Sequence, residues 1–172
     1  MALWGIISLR GCFMAPIITS NRLAQANGKD DIMSKIAVVY WSATGNTEAM
    51  ANEVAEGAKA AGAEVELKTA GEFTADDVAN YDAIAFGCPA MGAEELEDGE
   101  VQPMWDAVKG SLSGKKIGLF GSYDWGAGEW LRLWAEDANA AGVVMAAEPV
   151  KANLEPDDDA KAACKALGAA LA

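Results

Sequence analysis

The chain of 172 residues contains no histidine. That removes the one side chain that titrates near neutral pH unaided, and with it the commonest metal ligand. Bases are also scarce: 13 Lys and Arg face 26 Asp and Glu, a formal net charge of −13. Nucleic acid is excluded as a partner on this ground, because binding it begins with basic side chains neutralising phosphates. A basic protein surface is the natural complement. The three cysteines, Cys12, Cys88 and Cys164, are odd in number and form no C-x-x-C pair, zinc spacing or disulfide framework. A cytoplasmic location is expected from that. No apolar run is long enough to span a bilayer, so no membrane role is expected. Neither G-x-x-x-x-G-K-[ST] nor G-x-G-x-x-G occurs, which excludes the standard triphosphate and dinucleotide loops.

What is present is enough apolar material, 52% of residues, to close one core in one domain. Residues 1–33 do not share the character of the rest. Up to Ile32 they hold three bases and two acids, so the remainder carries −14. Two readings of this leader are open. Translation starting at Met33, or a disordered leader, makes 34–172 the whole domain. An export signal would use Ile6 to Ile18 as its apolar region and Ala24-Gln25-Ala26 as a cleavage site. No base precedes Arg10, however, and Arg10 and Pro16 interrupt that stretch. The first reading is the expected one.

From Ile36 the pattern is strand, loop, helix, repeated five times. Ile36 to Trp41 is a continuous apolar run, as a strand buried on both faces requires. Thr47 to Ala61 is helical in composition and ends at Gly62. Glu64 to Lys68 alternates, as an edge strand would, and Asp76 to Asn80 supports only a short helix. Ala83 to Phe86 is the third strand, stopped by Gly87-Cys88-Pro89. Val101 to Val108 reads as helix, Lys116 to Tyr123 as strand, Gly128 to Ala141 as helix. Val143 to Val150 is expected to be the fifth strand, made irregular by Pro149. Asp157 to Leu171 is a final helix with acids in its first turn. Alternating strands and helices with right-handed crossovers give a doubly wound parallel sheet with helices on both faces.

In such a sheet ligands sit beyond the carboxyl ends of the strands, so three loops matter most. The first, Ser42-Ala43-Thr44-Gly45-Asn46-Thr47, sets hydroxyls, an amide and a glycine ahead of a helix N-terminus. Free N–H groups and the helix dipole there favour an anion. With no Lys or Arg, the loop suits a monophosphate held by neutral donors. The alternative is a helix merely capped by Ser42 or Thr47. The second loop, Pro89-Ala90-Met91-Gly92-Ala93-Glu94 onward, has acids at five of the seven positions from Glu94 to Glu100. For Glu97, Asp98 and Glu100 a solvated face is expected. Met91 beside Gly92 pairs a polarizable side chain with a backbone that reorients cheaply. The third loop runs Ser122-Tyr123-Asp124-Trp125-Gly126-Ala127-Gly128, two aromatics on a glycine-rich turn. Trp130 and Trp134 lie four apart on the next helix and read as core. Trp125 has no such period and reads as a ligand platform.

Taken in order and spacing, Tyr40-Trp41-Ser42, Thr44-Gly45-Asn46-Thr47, Gly87-Cys88-Pro89-Ala90-Met91-Gly92, Glu94-Glu95-Leu96-Glu97 and Gly118-Leu119-Phe120-Gly121-Ser122-Tyr123 resemble the short-chain flavodoxins. The resemblance covers nearly all of residues 35–172. It implies a five-stranded sheet of order 2-1-3-4-5 with FMN at the switch point, a fold long known for this family. It implies that the Ser42–Thr47 loop, Ala43 included, holds the FMN phosphate. Met91 and Trp125 would cover the two ring faces, with Pro89, Ala90 and Ala93 beside them. The peptide after Gly92 would turn its carbonyl to flavin N5–H, and Glu94 would lie near the ring's N3 side. The Ser122–Trp125 backbone, with Tyr123, Asp124 and Gly126, would line the pyrimidine edge. Ala43 and Asp124 stand where relatives often have glycine, and Ala93 where some have an acid or serine.

The implied activity is one-electron transfer at low potential between redox proteins, ferredoxin-type donors and acceptors with basic docking surfaces, by a monomer. Charge supports this independently. One carboxylate about 10 Å from the flavin, at an effective dielectric near 40, disfavours an anionic reduced flavin by roughly 0.8 kcal/mol. For one electron that is on the order of 35 mV. The rival enzyme reading, an NAD(P)H-dependent quinone or FMN reductase on the same fold, needs room for a second substrate. A receiver domain is excluded, because Tyr40-Trp41-Ser42 and Gly87-Cys88-Pro89 stand where its acids should be. A domain that has lost its flavin is hard to square with Met91, Trp125 and the intact first loop.

Overall fold

A computed structural model describes residues 33–172; the leader expected over 1–33, with both its readings, lies outside the described residues apart from Met33. Strand β1 (Lys35–Tyr40) is the predicted apolar run, and Ile36 to Val39 are all buried. It pairs in parallel with β2 (Glu64–Thr69) on one side and β3 (Ala83–Gly87) on the other. Next come β4 (Lys116–Tyr123) and then β5 (Val144–Met145), so the order is β2-β1-β3-β4-β5. A sixth strand, β6 (Val150–Asn153), also pairs with β4. The alternating β2 is an edge strand with most side chains exposed, as its pattern required.

Among the described residues four α-helices cover the sheet: α1 (Asn46–Ala60), α2 (Val101–Val108), α3 (Glu129–Ala140) and α4 (Asp158–Leu171). Successive side chains of a strand point to opposite faces, and the two faces collect different residues. Ile36, Val38, Ala83, Ala85 and Phe120 pack under α1 and α4 with Ala51, Ala55, Ala58 and Leu167. Ala37, Val39, Ile84, Phe86, Ile117 and Leu119 pack under α2 and α3 with Trp105, Trp130 and Trp134. On that second face Trp105 meets Phe86 and Trp134 edge-on, each with ring centroids 5.5 Å apart. Such pairs contribute about 0.5–1.5 kcal/mol beyond their buried area. On the first face α1 and α4 meet backbone to backbone. A Cβ on Gly57 would stand 2.0 Å from the Lys165 carbonyl oxygen, and one on Gly168 2.0 Å from that of Val54.

The short helix expected over Asp76–Asn80 is present as a 3₁₀ stretch at Asp77–Asn80, preceded by another at Ala70–Glu72. One sequence expectation needs correction. The fifth strand expected over Val143–Val150 is two strands. Lys116 and Ile117 pair with Val144 and Met145, but Phe120 pairs with Val150. The outer chain therefore carries two extra residues between the pairings, and they bulge away from β4. Pro149 sits in that bulge, where its missing N–H costs no ladder bond. Among the described residues, no helix is long and apolar enough to cross a membrane.

Candidate functional site

The register Tyr40↔Gly87↔Phe120 ends β1 and β3 at one level, while β4 runs on to Tyr123 alongside β6, and the three expected loops leave from this edge of the sheet. They meet around a cleft of about 230 Å³. Ser42, Ala43, Thr44, Asn46 and Thr47 form one wall, and Pro89, Ala90 and Met91 another. Ser122, Tyr123 and Asp124 close it, together with Leu154, which the sequence reading missed. Gly45, Gly92, Ala93, Glu94, Trp125 and Gly126 do not line it. They lie in the same three loops, at its margins.

The first wall is the N-terminus of α1. Gly45 is the cap residue, with φ 90°, and no side chain caps the helix. The capped-helix alternative for Ser42 or Thr47 is thus overturned. The Ser42 hydroxyl accepts from the Gly45 N–H at 3.1 Å, which shapes the loop rather than the first helical turn. Thr47 is buried, and its hydroxyl lies 3.1 Å from that of Ser122, tying α1 to the end of β4. The first-turn N–H groups of a helix have no intrahelical partner, and Asn46 and Thr47 of that turn line the cleft. Ala43 adopts no positive φ, and neither does Asp124, so the departures from glycine carry no backbone strain.

The second wall is a tight turn. Met91 and Glu95 exchange backbone hydrogen bonds of 2.9 and 2.8 Å, closing Gly92-Ala93-Glu94 into its tip. Gly92 has φ 48° and Glu94 φ 59°, a left-handed conformation that a glutamate adopts only under constraint. The constraint is visible. Glu94 Oε1 accepts the N–H groups of Ala127, Gly128 and Glu129 at 2.9, 2.7 and 3.2 Å, capping α3 from another loop. Met91 and Trp125 stand exposed at the mouth, at 37% and 58%.

Glu97 corrects the expectation of a solvated acidic face, which Glu100 and Asp98 keep. Glu97 is buried, and its carboxylate accepts the N–H groups of Gly99, Glu100 and Val101 at 2.7, 2.7 and 3.0 Å, capping α2. Burial pushes its carboxyl up, but the three donors outweigh this and hold it below the ordinary carboxylate range. Glu100 accepts from the Gly71 N–H at 3.1 Å. Asp98 remains exposed. Cys88, beside the site, is buried, and burial raises its thiol to about 12, so it is no nucleophile. Trp130 and Trp134 are core as expected, and Trp130 Nε1 donates to the Cys88 carbonyl at 3.1 Å.

The third loop is anchored from β6, which sequence reasoning did not connect with it. Leu154 N–H donates to the Tyr123 carbonyl at 2.7 Å, and Asn153 Nδ2 to the Tyr123 and Asp124 carbonyls at 3.3 and 3.4 Å. Leu154 has φ 58° and is half-exposed. The signal for this was the Asn153-Leu154-Glu155-Pro156 turn, which follows directly on the last strand.

The model of the flavodoxin family matches residues 38–167. A flavodoxin of Megasphaera elsdenii is 48% identical over 137 residues, covering 80% of this chain and 98% of its own length. One of Clostridium beijerinckii is 41% identical over 121 residues, covering 70% of this chain and 88% of its own. The solution structure of the two-electron reduced Megasphaera protein superposes with a TM-score of 0.74, over 79% of this chain and 97% of that one. Fold, loops and near-complete coverage of these relatives agree: the chain belongs to the flavodoxins, short-chain type, FMN proteins that carry electrons and are not enzymes.

Proposed function

We propose that the protein is a low-potential one-electron carrier of the cytoplasm, monomeric, serving redox proteins with basic docking surfaces such as ferredoxin-type donors and acceptors. The observation that carries this reading is the contrast among helix N-termini around the site. At α2 and α3 a carboxylate takes the N–H groups of both the cap residue and the first helical residue, whereas at α1 Ser42 takes only that of the Gly45 cap, and Asn46 and Thr47 of the first turn line the cleft. An open N-terminus ringed by hydroxyls fits the phosphate of FMN, because orphan N–H groups and the helix dipole both favour an anion.

Bound FMN supplies the electron chemistry; the chain's residues hold it and set its energy. Ser42, Ala43, Thr44, Gly45, Asn46 and Thr47 take the phosphate in this reading. Met91 and Trp125, large apolar side chains otherwise left in water, cover the ring. Pro89, Ala90, Gly92 and Ala93 form the slot beside it, with Glu94 at its margin. Ser122, Tyr123, Asp124 and Gly126 present backbone groups to the pyrimidine edge. Loops 42–47, 89–100 and 122–129 contain no base, so negative charge on the reduced ring finds no cation within them. Docking would use the acidic rim of Glu95, Asp98 and Asp124, weakly and with strong salt dependence.

An anaerobic reductive titration of the FMN-loaded protein tests the reading. One FMN per chain, with a long-wavelength absorption band rising and falling near half reduction, is the expected result. Direct bleaching without that band, or oxidation of NAD(P)H by the protein alone, would overturn it. Asp124→Asn should raise the second one-electron potential by about 35 mV at low salt. No change there would remove Asp124 from the account.

A further inference from the structure

The turn carrying Trp125 is gripped from two sides by opposite charges. On one side the Glu94 carboxylate takes the N–H groups of Ala127, Gly128 and Glu129. On the other, Lys151 of β6 donates from Nζ to the Ala127 carbonyl at 2.6 Å, with the ammonium 5.8 Å from the Tyr123 ring centroid. Ala127 is thus held by its N–H on an anion and by its C=O on a cation. The glycines flanking it leave room for both. A Cβ on Gly126 would stand 2.2 Å from Glu94 Oε1, and one on Gly128 2.7 Å from Lys151 Nζ. Gly126 and Gly128 have φ 91° and 93°, so the turn has a backbone shape that other residues rarely adopt and that needs external support.

We propose that Lys151, with Glu94 as its counterpart, is a positioning residue of the cofactor site: its ammonium fixes the Ala127 peptide and thereby presents Trp125 to the flavin ring at a set angle. This rests on the FMN reading above. Trp125 is 58% exposed and lies two residues before Ala127 in that turn. A turn already ordered before the ring arrives loses less conformational freedom on binding, which appears as affinity. Lys151 lies outside every loop singled out for cofactor binding and acts through Ala127.

The experiment is a double-mutant cycle on the full chain, read by FMN affinity and by amide hydrogen exchange with and without FMN. Lys151→Met keeps the aliphatic stem and removes the charge. It should weaken FMN binding about fivefold, in keeping with an exposed charged hydrogen bond. In a Trp125→Ala background the same change should cost less than twofold, because its effect passes through Trp125. Amides of Ala127, Gly128 and Glu129 should exchange several-fold faster in Lys151→Met and recover in Lys151→Arg. Equal loss of affinity in both backgrounds would make Lys151 a through-space charge and overturn the proposal. So would unchanged exchange. A chain that refuses FMN would end the cofactor reading instead, while exchange in the FMN-free chain still reports whether Lys151 holds the turn.

Discussion

The two faces of the sheet solve the same packing problem in opposite ways. Under α2 and α3 the space is filled by large rings: Phe86, Trp105 and Trp134 meet edge-on, with Trp130 and Tyr123 beside them. Under α1 and α4 it is removed: alanines line the interface, and Gly57 and Gly168 let the helix backbones touch. The faces also treat their helix ends differently. The β3–α2 loop sends Glu97 to cap α2 and Glu94 to cap α3, both on the aromatic face. On the small-residue face α4 has only its local cap Asp157, and α1 has no side-chain cap. The face packed by proximity is the one whose helix end stays open to a ligand. A rigid, close-packed helix can hold such an N-terminus steady, as the phosphate role proposed for it requires.

From this contrast, one face should be most sensitive to removal of atoms and the other to addition. The largest effect is expected for Trp105→Ala, about 4 kcal/mol of stability in urea unfolding. It deletes two ring contacts and leaves Asp137 Oδ2 without the indole N–H it now accepts at 2.7 Å. Next, Gly168→Ala should destabilise by about 3 kcal/mol, since one methyl meets the Val54 carbonyl. Combining it with Gly57→Ala should cost less than the sum, because either change already separates α1 from α4. A Gly168→Ala variant as stable as the parent would break the comparison.

Glu97→Gln sharpens the part concerning helix ends. It should cost about 1–2 kcal/mol at neutral pH, as a buried charge-assisted cap is lost. The Glu97 carboxyl is held below its ordinary value in the folded protein. Its contribution is therefore complete above the unfolded value near about 4.3 and fades as pH falls through the lower folded value. Parent and variant should then converge in acid, and parallel curves down to low pH would refute the assignment. The smallest effect is expected for Asp157→Ala, about 1 kcal/mol. Its Oδ1 accepts the Ala160 N–H at 2.8 Å in an exposed first turn.

Much of this was legible in the residues. The apolar runs of β1, β3 and β4 admit no other buried element of their length, and the four-residue spacing of Trp130 and Trp134 marks an inward helix face. The order of the three loops pointed to the site. Contacts between distant residues were not legible. Glu94 reaches residues 33 to 35 positions away. Nothing local distinguishes its carboxylate from those of Glu97 or Asp98, so one acidic run concealed two caps and an exposed side chain. The fifth strand reads from sequence as one irregular segment; its division into two depends on where β4 offers partners and not on its own β-propensity. Leu154, Asn153 and Lys151 escaped notice for the same reason: their roles come from lying beside β4.

By itself the sequence determined the periodicities, the two-sided burial of the central strands and the lack of histidine and of basic loops. These are properties of single residues and short windows, and from them follow the parallel sheet, the acidic balance and a first loop whose donors are all neutral. Tertiary structure alone decided which carboxylate closes which helix, which helix end remains open, and how Lys151 meets the turn of Trp125. Those outcomes depend on distances between chain segments far apart in sequence, and such distances exist only once the sheet has set the register.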